Sequence, residues 1–179
     1  MHIPQYPHLN LQSKKIFLEK FNHKHITPQY ISWLNDKNLM QFSNQRFNSH
    51  STTTCQTYLN SFAESNSFFF SIHDFSSSEQ IGTITANFFP AHKTVDIGML
   101  IGHPSYKGKG FGKEAWTLLM SWLEKQPYVR KITAGTSCRN IGMIKIIEFS
   151  GMTFECKRVK HEVINHIPSD VYFYSKFTD

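Results

Sequence analysis

Between Thr94 and Leu123 the chain changes its hydrophobic period once, and it does so across three glycines. In "TVDIGMLIG" apolar Val95, Ile97, Met99 and Ile101 alternate with Asp96, Gly98 and Leu100, the two-residue period of a strand. Past "HPSYKGKGFGKEA", Phe111, Ala115, Leu118, Leu119, Trp122 and Leu123 recur at the spacing of an amphipathic helix. The segment therefore reads as strand, glycine loop, helix. Gly108, Gly110 and Gly112 stand at every second position at the mouth of that helix. Glycine in a helix interior costs about 1 kcal/mol relative to alanine, so a bare backbone must serve something. Free N–H groups, the helix dipole and Lys107, Lys109 and Lys113 together make an anion site. For the triplet alone, an ordinary tight turn with a solvated lysine rim stays open as the alternative.

The rest of the chain alternates between the same two periods. "KIFLEKF" (Lys15 to Phe21) reads as a first strand. "TPQYISWLND" reads as a helix with Thr27 as N-cap, Pro28 at the first helical position, and Ile31 and Leu34 on one face. "TTCQTYLNSFAES" (Thr53 to Ser65) is a second helix. "FFFSIHD" and "IGTITANFF" flank the "SSSE" turn as a hairpin, with Ile84, Ala86 and Phe88 alternating with Thr83, Thr85 and Asn87. "KITAGTS" is a strand, and "NIGMIKIIEFSG" is a helix from an Asn140 cap to a Gly151 stop. "TFECKRVKHEV" and "DVYFYSKF" are two closing strands. The order β-α-α-β-β-β-α-β-α-β-β predicts a mixed α/β (α+β) domain, a mostly antiparallel central sheet flanked by about four helices. With no repeat or long linker, residues 1–179 read as a single domain.

Charge and cysteine narrow the function. A net charge of +6 suits an acidic ligand, but no lysine-arginine block is dense enough for a nucleic-acid stripe. Cys55, Cys138 and Cys156 are odd in number and lack a CxxC pair, so reduced thiols are expected and no metal site is read. "MHIPQYPHLN" lacks the apolar stretch of a signal peptide, and no segment approaches 18 continuous apolar residues. A cytoplasmic protein without membrane partners is the expectation.

Spacing sorts the phosphate loops. A Walker loop requires four residues between its glycines and then Gly-Lys-Ser/Thr; here Gly102 to Gly108 encloses five residues and Gly110 follows Lys109. A dinucleotide fingerprint needs its third glycine one place later, and an acidic end to the next strand that "KITAGTS" does not offer. "HPSYKGKGFGKEA" instead resembles the pyrophosphate loop of the GNAT acyltransferase superfamily: Arg or Gln, two residues, Gly, one residue, Gly or Ala. Lys107 stands at the Arg/Gln position and keeps the charge. Asn140 before a helix ending in "EFSGM" resembles a second landmark of that family. "HITPQYISWLND", "MQFSNQR" and "SDVYFYSKF" resemble the branch of ribosomal-protein and nucleotide-aminosugar N-acetyltransferases. The likeness spans roughly residues 11 to 178.

What the resemblance implies is an acetyl-CoA-dependent N-acetyltransferase without a metal. The pyrophosphate would lie on the amides of Gly108, Lys109, Gly110, Phe111, Gly112 and Lys113, with Lys107 beside them. The pantetheine would pair with Leu100, Ile101 and Gly102, and Asn140 would bond to it through its side chain. A backbone N–H near Met99 or Leu100 would serve the oxyanion, with Gly98 letting the strand bulge and splay from its neighbour. Asp96 would be the base, acting through water, where this branch often has glutamate. The family's tyrosine seven residues after the asparagine is Ile147 here, which leaves Tyr172 and Tyr174 as proton donors to consider. Cys138 is not expected to act covalently.

The expected acceptor is the primary amine of a small molecule, an aminosugar foremost. Asn44, Gln45, Arg46, His161 and His166 would form a polar, cationic rim in which Arg46 could pair with a nucleotide phosphate. Glu148, Glu155 and Glu162 could face the same opening. A ribosomal-protein type N-terminal acetyltransferase and a non-catalytic acyl-CoA-binding module are the alternatives, as monomer or homodimer.

Overall fold

The computed structural model describes residues 11–63 and 65–178; the N-terminal "MHIPQYPHLN" read above for a signal peptide lies outside them. Eight strands form one sheet: β1 (Leu11–Gln12), β2 (Ile16–Lys20), β3 (Phe68–Asp74), β4 (Gln80–Phe89), β5 (Thr94–Ile101), β6 (Lys131–Ser137), β7 (Thr153–Ile164) and β8 (Ile167–Phe177). They lie in the order β1-β2-β3-β4-β5-β6-β8-β7. Every pairing is antiparallel except that of β5 with β6. Four α-helices complete the chain: α1 (Pro28–Asn35), α2 (Thr52–Ala63), α3 (Phe111–Leu123) and α4 (Ile141–Phe149). This is the expected mixed architecture, with the two-residue β1 added to the sequence reading.

Local chemistry sets the helix ends. The Thr27 hydroxyl accepts the Tyr30 N–H at 3.1 Å ahead of Pro28. Ser51 and Thr54 exchange hydrogen bonds at the start of α2, one residue earlier than the composition suggested. Asn140 Oδ1 accepts the Met143 N–H at 3.3 Å, and Gly151 ends that helical segment in a left-handed conformation. The reading of α2 as far as Ser65 overshoots, since the helix closes at Ala63.

Side-chain alternation splits the core between the two faces of the sheet. On one face Ile84, Ala86, Phe88, Val95 and Ile97 pack against Trp116, Leu119 and Leu123 of α3 and Ile147 of α4. On the other, Phe21, Phe69 and Leu100 pack with Tyr30, Trp33 and Cys55 of α1 and α2. Gly102 lies where this second layer is tightest: a Cβ there would come within 2.1 Å of the Trp33 ring. β5 therefore separates two compartments, Met99 and Ile101 toward α3, Leu100 toward α1 and α2.

Candidate active site

β4 and β5 pair without interruption from Gly82↔Ile101 to Phe89↔Thr94, so Gly98 carries no bulge. This corrects the expected bulge. The expected splay is present, between β5 and β6, which pair only from Thr94↔Lys131 to Asp96↔Thr133 and then part. Beyond Asp96 the β6-facing edge of β5 is left for another partner. An extended chain bearing amides is chemically suited to that edge.

The three loop glycines have different causes. Gly108 and Gly110 hold φ of +72° and +86°, with open space where a Cβ would point, so their glycine identity answers to backbone conformation. Gly112 is a packing residue, whose Cβ would stand 3.2 Å from Ile101 and from Met99. Gly110 is the N-cap of α3 and offers no side chain to the first turn. The start of α3 thus keeps its amide donors for an anion, with Lys107, Lys109 and Lys113 nearby in sequence. The loop is tethered at its entrance. The Tyr106 hydroxyl lies 3.0 Å from Asp74 and 3.1 Å from Glu79, and His103 Nε2 lies 3.1 Å from Glu79. The Tyr106 ring meets Phe111 edge-on at 4.8 Å.

On the α1/α2 face a pocket of about 440 Å³ opens onto Gly98, Met99 and Leu100. Tyr30, Leu34, Met40 and Phe69 give it apolar walls; Gln45, Asn48, His50, Thr54 and Thr85 give it amides, hydroxyls and one imidazole. No Asp, Glu, Lys or Arg lines it among the described residues. Burial pushes the Tyr30, Cys55 and Tyr58 groups up from their ordinary values, so each keeps its proton at neutral pH.

Asp96 shares the strand face of Gly98 and Leu100 but lies outside the pocket lining, where β5 and β6 separate. Its carboxylate accepts the Thr133 hydroxyl at 2.8 Å. Burial raises its pKa, and the Thr133 bond opposes that rise. Asn140 caps α4 through its oxygen, and no hydrogen bond among the described residues takes its side-chain N–H₂ group.

The expected acceptor rim is rearranged. Gln45 lines the pocket, but Arg46 donates to the carbonyls of Ser43 (2.8 Å) and Val163 (3.0 Å) and lies over Phe47. It ties the 43–48 segment to the β7–β8 hairpin, which spends two of its donors on backbone. Asn44 reaches Glu162 across the same junction. His161 and His166 are exposed on that hairpin and do not line the pocket. Glu148 accepts the Tyr174 hydroxyl at 3.2 Å, and Glu155 pairs with Lys131, so neither glutamate faces the pocket. Tyr174 is in the core and Tyr172 packs on Phe154. Cys138 donates its backbone N–H to Asp170, and all three cysteines are free. No sequence signal singles out His50 among the ten histidines. Its neighbours Asn35 and Gln45 converge only in the fold.

Glu19, His25 and His73 also meet, their ligating atoms within 4.8 Å of one another. His25 Nδ1 accepts the Asn22 N–H at 3.0 Å, so its Nε2 bears the hydrogen. That tautomer suits donation to Glu19, 3.5 Å away, better than a bond to a metal.

Comparison with known proteins decides the family. The family model described as acetyltransferase (GNAT) domain matches residues 15–153. The chain belongs to the GNAT acetyltransferases. It is an acetyl-CoA-dependent N-acetyltransferase, with acetyl-CoA as acetyl donor. Solved structures of the same fold include a ribosomal L7/L12 alpha-N-protein acetyltransferase with coenzyme A (17% identity, TM-score 0.82, 94% of this chain and 98% of that one). The spermidine N-acetyltransferase of Vibrio cholerae with CoA and spermine matches at 18% identity and TM-score 0.81, over 93% and 97%. The ribosomal-protein-S5-alanine acetyltransferase of Vibrio fischeri matches at 19% and 0.81, over 96% and 97%. No curated protein matches. No helix among the described residues is long and apolar enough to cross a membrane.

Proposed function

We propose that this GNAT enzyme acetylates the primary amine of a small molecule, with an aminosugar as the leading candidate, by direct transfer. The observation that carries the reading is the pocket over Gly98, Met99 and Leu100. It is walled by α1, α2 and the 40–50 segment, and it is lined by amides and hydroxyls suited to a hydroxylated body.

In this reading the amine nitrogen attacks the thioester carbonyl and the C–S bond breaks. The coenzyme A thiolate leaves and takes up through water the equivalent of the proton that the amine gives to Asp96, so that amide and free thiol are the products. The amine's proton passes through water to Asp96, whose burial moves its pKa toward the range where a base works best. A backbone N–H at Met99 or Leu100 receives the developing oxyanion. Donor binding falls to the amides from Gly108 to Lys113, to Lys107, to the open edge at Leu100, Ile101 and Gly102, and to the Asn140 side chain. The left-handed Gly108 and Gly110 and the uncapped α3 fit a pyrophosphate.

The test is a panel of aminosugars, aminosugar nucleotides, polyamines and N-terminal peptides, each supplied with acetyl-CoA while free thiol is followed. At least one aminosugar should turn over ahead of every peptide. Peptides turning over with all aminosugars inert would point instead to a protein N-terminal acetyltransferase. Binding of acetyl-CoA without turnover of any amine would point to a non-catalytic module.

A further inference from the structure

The geometry points to His50 as the residue that receives the acceptor amine, and to a monoamine with an otherwise uncharged body as that acceptor. This deepens the small-molecule reading above and rests on it. His50 is held on three sides. Its backbone N–H donates to Asn35 Oδ1 at 2.9 Å, its carbonyl accepts from Asn35 Nδ2 at 2.8 Å, and its ring Nε2 lies 3.1 Å from the Gln45 carbonyl. A carbonyl can only accept, so Nε2 carries a hydrogen. In the neutral ring Nδ1 then carries the lone pair, and no hydrogen bond among the described residues takes it up. A ring oriented through one nitrogen, with the other open, is the arrangement of an imidazole that serves a substrate.

Among the polar groups of the pocket His50 is the one nitrogen acceptor, and two of its neighbours are already engaged. The Thr54 hydroxyl donates to the Ser51 carbonyl, and Gln45 Oε1 accepts from Asn48. Tyr30, Cys55 and Tyr58 keep their protons, as argued above, and present donors. The charged groups on the elements around His50 look elsewhere. Arg46 reaches the Ser43 and Val163 carbonyls, and Asp36, at the end of α1, accepts the N–H groups of Asn38 and Leu39.

An acceptor amine can thus donate one N–H to His50 Nδ1 and keep its own lone pair for the thioester carbon. Its proton on acetylation still goes to water and Asp96, as proposed above. Among the described residues no carboxylate of the lining would meet a second ammonium on the acceptor, and desolvating an unpaired charge there is costly. The pocket therefore selects against diamines and polyamines, and a phosphate of a nucleotide-linked acceptor would have to lie outside it.

The experiment uses the full chain with saturating acetyl-CoA, glucosamine as the monoamine and spermidine as the polyamine, following thiol release. His50→Ala should raise the glucosamine KM at least tenfold and leave the acetyl-CoA KM unchanged. His50→Gln, which restores an acceptor oxygen, should recover part of the loss. Spermidine should fall at least tenfold below glucosamine in kcat/KM. An unchanged glucosamine KM in His50→Ala, or spermidine equal to glucosamine, overturns the inference while the small-amine reading stands. Thiol release with peptides alone overturns both. Should His50→Ala fail to fold, His50→Phe, which keeps a ring and removes both nitrogens, decides the same comparison.

Discussion

Asp96 and Thr133 are cross-strand neighbours at the last paired position of β5 and β6, and that placement gives Asp96 its chemistry. Burial favours the protonated carboxyl and the Thr133 hydroxyl favours the carboxylate, with burial the larger effect. A base must be ionised, so kcat/KM should climb with pH through a pKa above the ordinary carboxylate range. Asp96→Asn should lower kcat by roughly 10²-fold, leave acetyl-CoA binding nearly intact, and abolish that limb of the pH profile. Full activity with the limb intact would leave Asp96 a structural residue. The same shift has a sign in stability. The folded state holds this proton more tightly than the unfolded chain. Its contribution is therefore complete below the ordinary aspartate value of 3.8 and is lost as pH rises through the folded pKa. Denaturant midpoints of Asp96→Asn should lack that decline.

At the scale of elements, hydrophobic period carried most of the reading. Alternation in "TVDIGMLIG" placed Leu100 opposite Met99 and Ile101, and the two core layers divide there. In α3 the stripe from Phe111 to Leu123 was legible, whereas Trp116 and Met120 are buried as well. Trp116 is covered from the end of α4, where its Nε1 donates to Ser150 Oγ at 3.1 Å. Three consecutive phenylalanines defeat alternation, and only the fold shows Phe69 turned to α2 while Phe70 faces α3. A splay of β5 was legible at Gly98, but that β6 is the strand it leaves, and that residues 40–50 wall the pocket, were not, because both depend on contacts between distant segments. The glycines allow a sharp test of what was. Gly110→Val puts a β-branched residue at φ +86° with open space around it. Strain of about 1–2 kcal/mol should redirect the loop and weaken acetyl-CoA binding by about tenfold, measured by calorimetry. Gly142, helical in α4 with nothing within 4 Å of its missing Cβ, is the counter-case. Gly142→Ala should raise stability by about 0.4–1 kcal/mol, read from denaturant midpoints. Unchanged acetyl-CoA affinity in a folded Gly110→Val would separate the loop from the donor.

At the scale of the molecule, β5 borders both the pocket proposed for the acceptor and the loop proposed for the donor. The pocket sits under α1 and α2, the glycine loop leads into α3, and among the described residues the strand that borders both is the one whose edge opens beyond Asp96. A ligand that spans loop and open edge should therefore tie the two layers together and stabilise the whole domain. Acetyl-CoA at 100 times its dissociation constant should add about 2.7 kcal/mol. For a chain of this size each 1 kcal/mol moves the melting temperature by roughly 2–4 °C, so a rise of roughly 5–10 °C is expected. The net charge of +6 offers a competing source of binding through polyanions, and salt distinguishes the two. A shift caused by acetyl-CoA should persist at about 0.5 M salt, because backbone amides, strand-edge bonds and the thioester end contribute beside the lysines. A shift caused by duplex DNA or RNA should collapse there as counterion release loses its advantage. Melting curves with acetyl-CoA, desulfo-CoA and a short duplex at two salt concentrations check this. Stabilisation by the duplex alone would overturn the donor role of the Gly108–Lys113 amides.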